Sequence, residues 1–112
     1  MGAESGRYRA ERYGGGVIRH TVLIAFEEAE PTVVDTVVTE LRALPSRVPE
    51  IVDYTVGPDL GLGDAPPTVV VIGDFATVDD WRAYLAHPEH VRVLEDHIRP
   101  HASSISRAQI EL

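Results

Sequence analysis

The chain has 112 residues, which suits one ordinary domain with one core. It has no cysteine, and all 10 of its basic side chains are arginine, so disulfides, thiolate chemistry, cysteine-bound metals and a protein Schiff base are excluded. A net charge of -8 opposes a phosphate backbone, which argues against nucleic acid as a partner, and no apolar run approaches the length of a membrane span.

The charge is uneven. Residues 1–16 hold Arg7, Arg9 and Arg12 against Glu4 and Glu11, a slight positive excess in an acidic chain. We read 1–16 as a flexible basic arm, ended by Gly14-Gly15-Gly16, and 17–112 as the folded domain. The arm lacks the apolar stretch of a secretory signal, so a cytoplasmic protein is expected. The absence of lysine beside abundant Arg, Ala, Val and Gly suggests a GC-rich bacterial source.

Val17–Phe26 reads as a strand, with Ile18, His20, Val22, Ile24 and Phe26 on one face. Its other face, Val17 to Ala25, is also largely apolar, which predicts that both faces are covered. Pro31 suits the first turn of a helix, and Val33, Val34, Val37, Val38, Leu41 and Leu44 carry the helical period to Pro45. Ile51–Val56 is a second strand, closed by Gly57-Pro58. Gly57–Pro67 is a Gly/Pro-rich loop with the makings of a lid, and Thr68–Phe75 is a valine-rich third strand. Thr77 is a good N-cap for a helix bearing Trp81, Tyr84 and Leu85. Pro88 restarts that helix after His87, and Val91, Leu94 and Ile98 continue it to Pro100. Ile105–Leu112 is the last strand. The order β-α-β-β-α-β is that of a ferredoxin-like α+β domain: a four-stranded antiparallel sheet with helices on one face. The other face, carrying Val52, Tyr54 and Val56 or their alternates, needs a partner, so a homodimer of two face-to-face sheets is expected.

Five histidines stand out: His20, His87, His90, His97 and His101. On a continuous helix His90, Leu94, His97 and His101 would share a face, but no carboxylate pattern completes a metal signature, so no metal is expected. Histidine is the natural general base near neutral pH, and a tyrosine hydroxyl can hold an oxygen on which negative charge develops. Tyr84 and His90 flank the break at His87-Pro88, which could aim both at one cavity. The competing structural reading makes Tyr84 a core residue and His90 a surface residue of a first helical turn. His20 sits among apolar strand residues and reads as a buried neutral histidine or a pocket wall. His87 reads as a capping or hinge residue.

Ile18-Arg19-His20-Thr21-Val22-Leu23, Leu41-Arg42-Ala43-Leu44-Pro45, Val56-Gly57-Pro58, Asp74-Phe75 and Tyr84-Leu85-Ala86-His87-Pro88-Glu89-His90 resemble the stress-responsive A/B barrel (Dabb) family over nearly all of 17–112. The resemblance implies a dimeric α/β barrel. Its polyketide cyclases of the olivetolic acid cyclase type close a poly-β-ketone thioester by intramolecular aldol condensation, without cofactor or metal. Their tyrosine/histidine acid–base pair matches Tyr84 and His90, and His20 matches a histidine of the pocket wall. On that reading His90, Tyr84 and His20 are the catalytic candidates. Val38, Leu41, Val71 and Phe75 form the apolar pocket, and Trp81, His87 and His101 contact a small hydrophobic or polyketide-like ligand. Thr68-Val69 departs from the family pattern, which often places a histidine there. The alternative is a non-catalytic dimer that binds a small hydrophobic ligand or serves a stress response.

Overall fold

The computed structural model describes residues 16–28 and 30–112, so the arm expected over 1–16 lies outside the described residues apart from Gly16. Four strands, β1 (Ile18–Ala25), β2 (Ile51–Pro58), β3 (Thr68–Phe75) and β4 (Ser104–Glu111), form one sheet in the order β2-β3-β1-β4. Every pairing is antiparallel. Helix α1 (Pro31–Arg42) follows β1. Helices α2 (Val78–Ala86) and α3 (Pro88–Val93) follow β3, and α3 runs on through a π turn, Leu94–Ile98. This is the ferredoxin-like order expected from the hydrophobic periods.

Local chemistry explains the boundaries. Pro31 opens α1 where its missing N–H costs nothing. The Thr77 hydroxyl accepts the Asp80 N–H at 3.0 Å and starts α2. His87 precedes a proline and takes an extended conformation, φ -62 and ψ 134, which separates α2 from α3. Strand β2 continues through Gly57-Pro58 rather than stopping before them, because a proline is tolerated at the end of an edge strand.

The core lies between the sheet and the helices. Val22, Ile24, Val56, Val69 and Val71 pack beneath Val37, Val38, Leu41, Tyr84, Val93 and Ile98. Each side chain of this kind contributes about 1.5–3 kcal/mol by leaving water. His20 is the buried histidine of this face, at 1% exposure.

One alternative is settled and one expectation is corrected. Tyr54 and Val56 belong to the helix-covered face, since Val56 pairs with buried Val71 and Tyr54 bonds to Tyr84 of α2. An irregularity between Ile51 and Asp53 shifts the register and leaves Asp53, Thr55 and Gly57 on the opposite face. That opposite face is bare within one chain: Leu23 and Ile110 are exposed, with Val70 and Ile72 half-buried beside them. At its end Arg19 donates two hydrogen bonds to the buried carboxylate of Asp74, at 2.9 and 3.0 Å. The β2–β3 loop is also not a lid over the histidines. Asp59, Ala65 and Pro66 instead border a hollow on the bare face, beside Leu23 and Val70.

Candidate functional site

A cavity of about 250 Å³ opens between the helices and the β1–β4 side of the sheet. That is room for on the order of eight waters at ~30 Å³ each, a small ligand's volume. Its polar lining comes from five elements: His20 on β1, Tyr54 on β2, Tyr84 on α2, His90 on α3 and Arg107 on β4, with Arg99 just past the π turn. The apolar lining includes Val22, Ile24 and Val71 from the sheet and Leu41, Leu94 and Ile98 from the helical layer.

The break at His87 creates the central contact. The His87 Nδ1 accepts the Glu89 N–H at 3.1 Å and caps α3. The chain then turns, so that Tyr84 and His90, six positions apart in sequence, place their rings 4.4 Å apart. His20 stands 6.0 Å from the Tyr84 ring and 5.8 Å from Trp81.

The two histidines are held as opposite tautomers. The Leu85 carbonyl can only accept, so its 3.1 Å contact makes His90 donate from Nδ1 and leaves Nε2 with a free lone pair. The Gln109 amide N–H donates to His20 Nδ1 at 2.9 Å, so the His20 proton resides on Nε2. One ring therefore offers a base and the other a donor. Burial lowers the His20 pKa from 6.5 to about 4, with the Arg107 and His90 charges adding to it. Burial also lowers His90, opposed by its bond to Leu85 and assisted by Arg107 and His87. Both rings are neutral at pH 7.

Tyr54 and Tyr84 share a hydroxyl–hydroxyl hydrogen bond of 2.7 Å. Burial pushes Tyr84 up to about 12, while the bond from Tyr54 works against the rise. Burial and then the Tyr84 neighbour push Tyr54 higher still. Either hydroxyl can donate in this pair, and with Tyr54 donating, Tyr84 keeps its own O–H for a partner in the cavity. Gly73 makes this possible: a Cβ there would stand 3.0 and 3.1 Å from the Tyr54 ring.

Of the residues singled out from sequence, the cavity gathers His20, Tyr84, His90, Leu41 and Val71. Val38 and Phe75 are buried core residues outside its lining, although Phe75 packs on Tyr84 at 4.8 Å. Trp81 touches His20 but does not line the cavity, and His87 is engaged in capping. His101 is a clear departure. The π turn, closed by Arg99 N–H to Leu94 O at 2.9 Å, inserts a residue and rotates the chain beyond it. His97 and His101 then face Thr32, Val33 and Thr36 across a separate hollow of about 170 Å³. There His97 lies 3.5 Å from Glu40. Val69, at the position that departs from the family pattern, is fully buried in the core. Sequence reasoning missed Tyr54, Gln109, Arg99 and Arg107. The alternation of β2 did contain a signal for Tyr54, which shares a face with Val56. Among the described residues no three histidines or carboxylates converge as a metal site would require. No helix among them is long and apolar enough to cross a membrane.

The family model for the stress-responsive A/B barrel domain matches residues 18–111. A dimeric ferredoxin-like protein of unknown function from Thermobifida fusca is similar in structure, with a TM-score of 0.78 and 34% identity over 88% of this chain and 92% of that one. A dimeric ferredoxin-like protein of unknown function from Bacteroides fragilis has a TM-score of 0.77 and 24% identity, covering 87% of this chain and 97% of its own. A hydroxynitrile lyase from Passiflora edulis shares the fold, with a TM-score of 0.75 and 18% identity over 88% of this chain and 94% of that one. No curated protein matches the sequence.

Proposed function

The chain belongs to the stress-responsive A/B barrel domain family, and on that premise we propose that its cavity is a cofactor-free acid–base site for aldol-type carbon–carbon chemistry on a small β-keto substrate, in a polyketide cyclase or lyase that works as a homodimer. The observation that carries this reading is the pair of opposed histidine tautomers around Tyr84. His90 Nε2 accepts the proton of a carbon next to a carbonyl. The electron pair moves onto the carbonyl oxygen, where the Tyr84 O–H and the His20 Nε2–H meet the developing charge. The enolate carbon then attacks a second carbonyl of the same molecule, and the new alkoxide recovers its proton from His90. Atoms balance with no external reagent. A positioned base of this kind supplies roughly 10²–10⁴-fold. The hydroxynitrile lyase of the same fold is in keeping with a lyase reading. The homodimer reading rests on the bare sheet face with Leu23 and Ile110, and on the dimeric relatives.

The direct test needs no knowledge of the product. α-Proton exchange of a ketone series in D₂O is followed by NMR with the wild-type protein, His90→Ala and Tyr84→Phe. Exchange above the buffer rate that falls by about 10²-fold or more in His90→Ala supports the reading. Equal rates in all three proteins refute it, and ligand binding without any exchange would leave a non-catalytic binding dimer.

A further inference from the structure

The cavity has one charge sign. The chain carries 18 acidic against 10 basic residues, yet the described residues lining this cavity include two arginines and no carboxylate. The two arginines differ. Arg99 is taken up by Glu95 at 3.0 Å, whereas Arg107 has no carboxylate partner among the described residues. Arg107 stands on β4 opposite Val22, two positions from the Gln109 that holds His20. A guanidinium with no carboxylate partner among the described residues, at the wall of a half-apolar cavity that itself bears no carboxylate, is arranged for an anion from outside.

We propose that the cavity takes an organic carboxylate, its acid group bound by Arg107 and its apolar body laid against Ile24, Leu94, Ile98 and Ile105. This rests on the acid–base reading of the site and narrows it to substrates that carry a free acid group beside the reacting ketone. The geometry orders the ligand: the acid lies at the β4 wall and the carbonyl lies inward, toward Tyr84 and His90.

The experiment uses the full chain and matched pairs of probes: phenylacetate with phenylacetamide, and the hexanoate-to-decanoate acids with their amides. Binding is followed by calorimetry at low salt. The expected result is an acid preferred over its amide by about tenfold or more in wild type, as a charge-assisted bond gives. Arg107→Gln abolishes that preference while amide binding stays within about twofold. Arg107→Lys restores part of the preference, and Arg82→Gln, which removes an exposed arginine outside the cavity, leaves it intact. Equal binding of acids and amides, no binding of any acid, or an unchanged preference in Arg107→Gln overturns the proposal. Tyr84→Phe separates the two readings. If the acid–base reading alone is wrong, α-proton exchange does not depend on Tyr84 while the acid preference still depends on Arg107.

Discussion

His20 couples stability to pH in a defined window. Folded, it is neutral, with its pKa lowered to about 4 from 6.5. Above pH 6.5 neither the folded nor the unfolded chain binds this proton, and the stabilisation is fully present. As pH falls below 6.5 the unfolded chain takes up a proton that the folded chain cannot, so stability declines until about pH 4. The gap between the two values corresponds to about 3 kcal/mol in full, of which about 2.5 kcal/mol is lost by pH ~4.5. His90, lowered in the same direction, adds to the slope. The assay is urea unfolding at fixed protein concentration from pH 8 to 4.5, for wild type and His20→Gln. The variant is less stable overall, but its decline over that range is shallower by roughly 2 kcal/mol. Subtracting the two curves cancels the carboxylates that titrate in both proteins. Parallel curves would refute the assignment of His20 as a ring held neutral by burial.

Three further outcomes are expected. Tyr54→Phe removes the hydroxyl partner of Tyr84, lowers stability by about 1 kcal/mol and slows α-proton exchange; unchanged values in urea unfolding and NMR exchange would mean the hydroxyl pair is idle. Gly73→Ala forces the Tyr54 ring aside, because its Cβ would sit 3.0 Å from that ring and 3.3 Å from Phe75. It should cost about 1–3 kcal/mol in thermal melts, and its effect should not add to that of Tyr54→Phe, since both act on one contact. Leu23→Glu places a charge at the centre of the bare sheet face and should convert a dimer to a folded monomer in sedimentation, with the circular dichroism of the domain retained.

The fold is legible in the sequence because it is written in periods that neighbouring residues share. The valines of α1 recur every three or four positions, and β1 alternates around His20, so local spacing alone orders the elements. The break before Pro88 is equally local. The features hidden from sequence depend on register. The alternation of β2 groups Tyr54 with Val56, but which face that pair presents to the helices is decided by the pairing with β3 and the irregularity after Ile51. A straight helix would group His101 with His90, and one added residue in the π turn parts them. Gln109 and Arg107 look like ordinary polar residues of an edge strand. Their importance comes from pairing with β1 across 89 positions in the case of Gln109 and His20, a distance no local pattern spans.

Strand β4 is exposed along its whole length, yet it furnishes Ile105, Arg107 and Gln109 to the site. The residues on the buried strands and on α2 bear the weight of the core, so changes there endanger the whole domain. Those on β4 bear little of it. On the proposed reading, the wall that would meet the ligand's far end can therefore be rewritten by single substitutions at small cost in folding, while His90, Tyr84 and His20 stay fixed. A lineage built on this plan can exchange one substrate for another faster than it can change its chemistry, and a directed-evolution library restricted to positions 105 and 107 samples that freedom first.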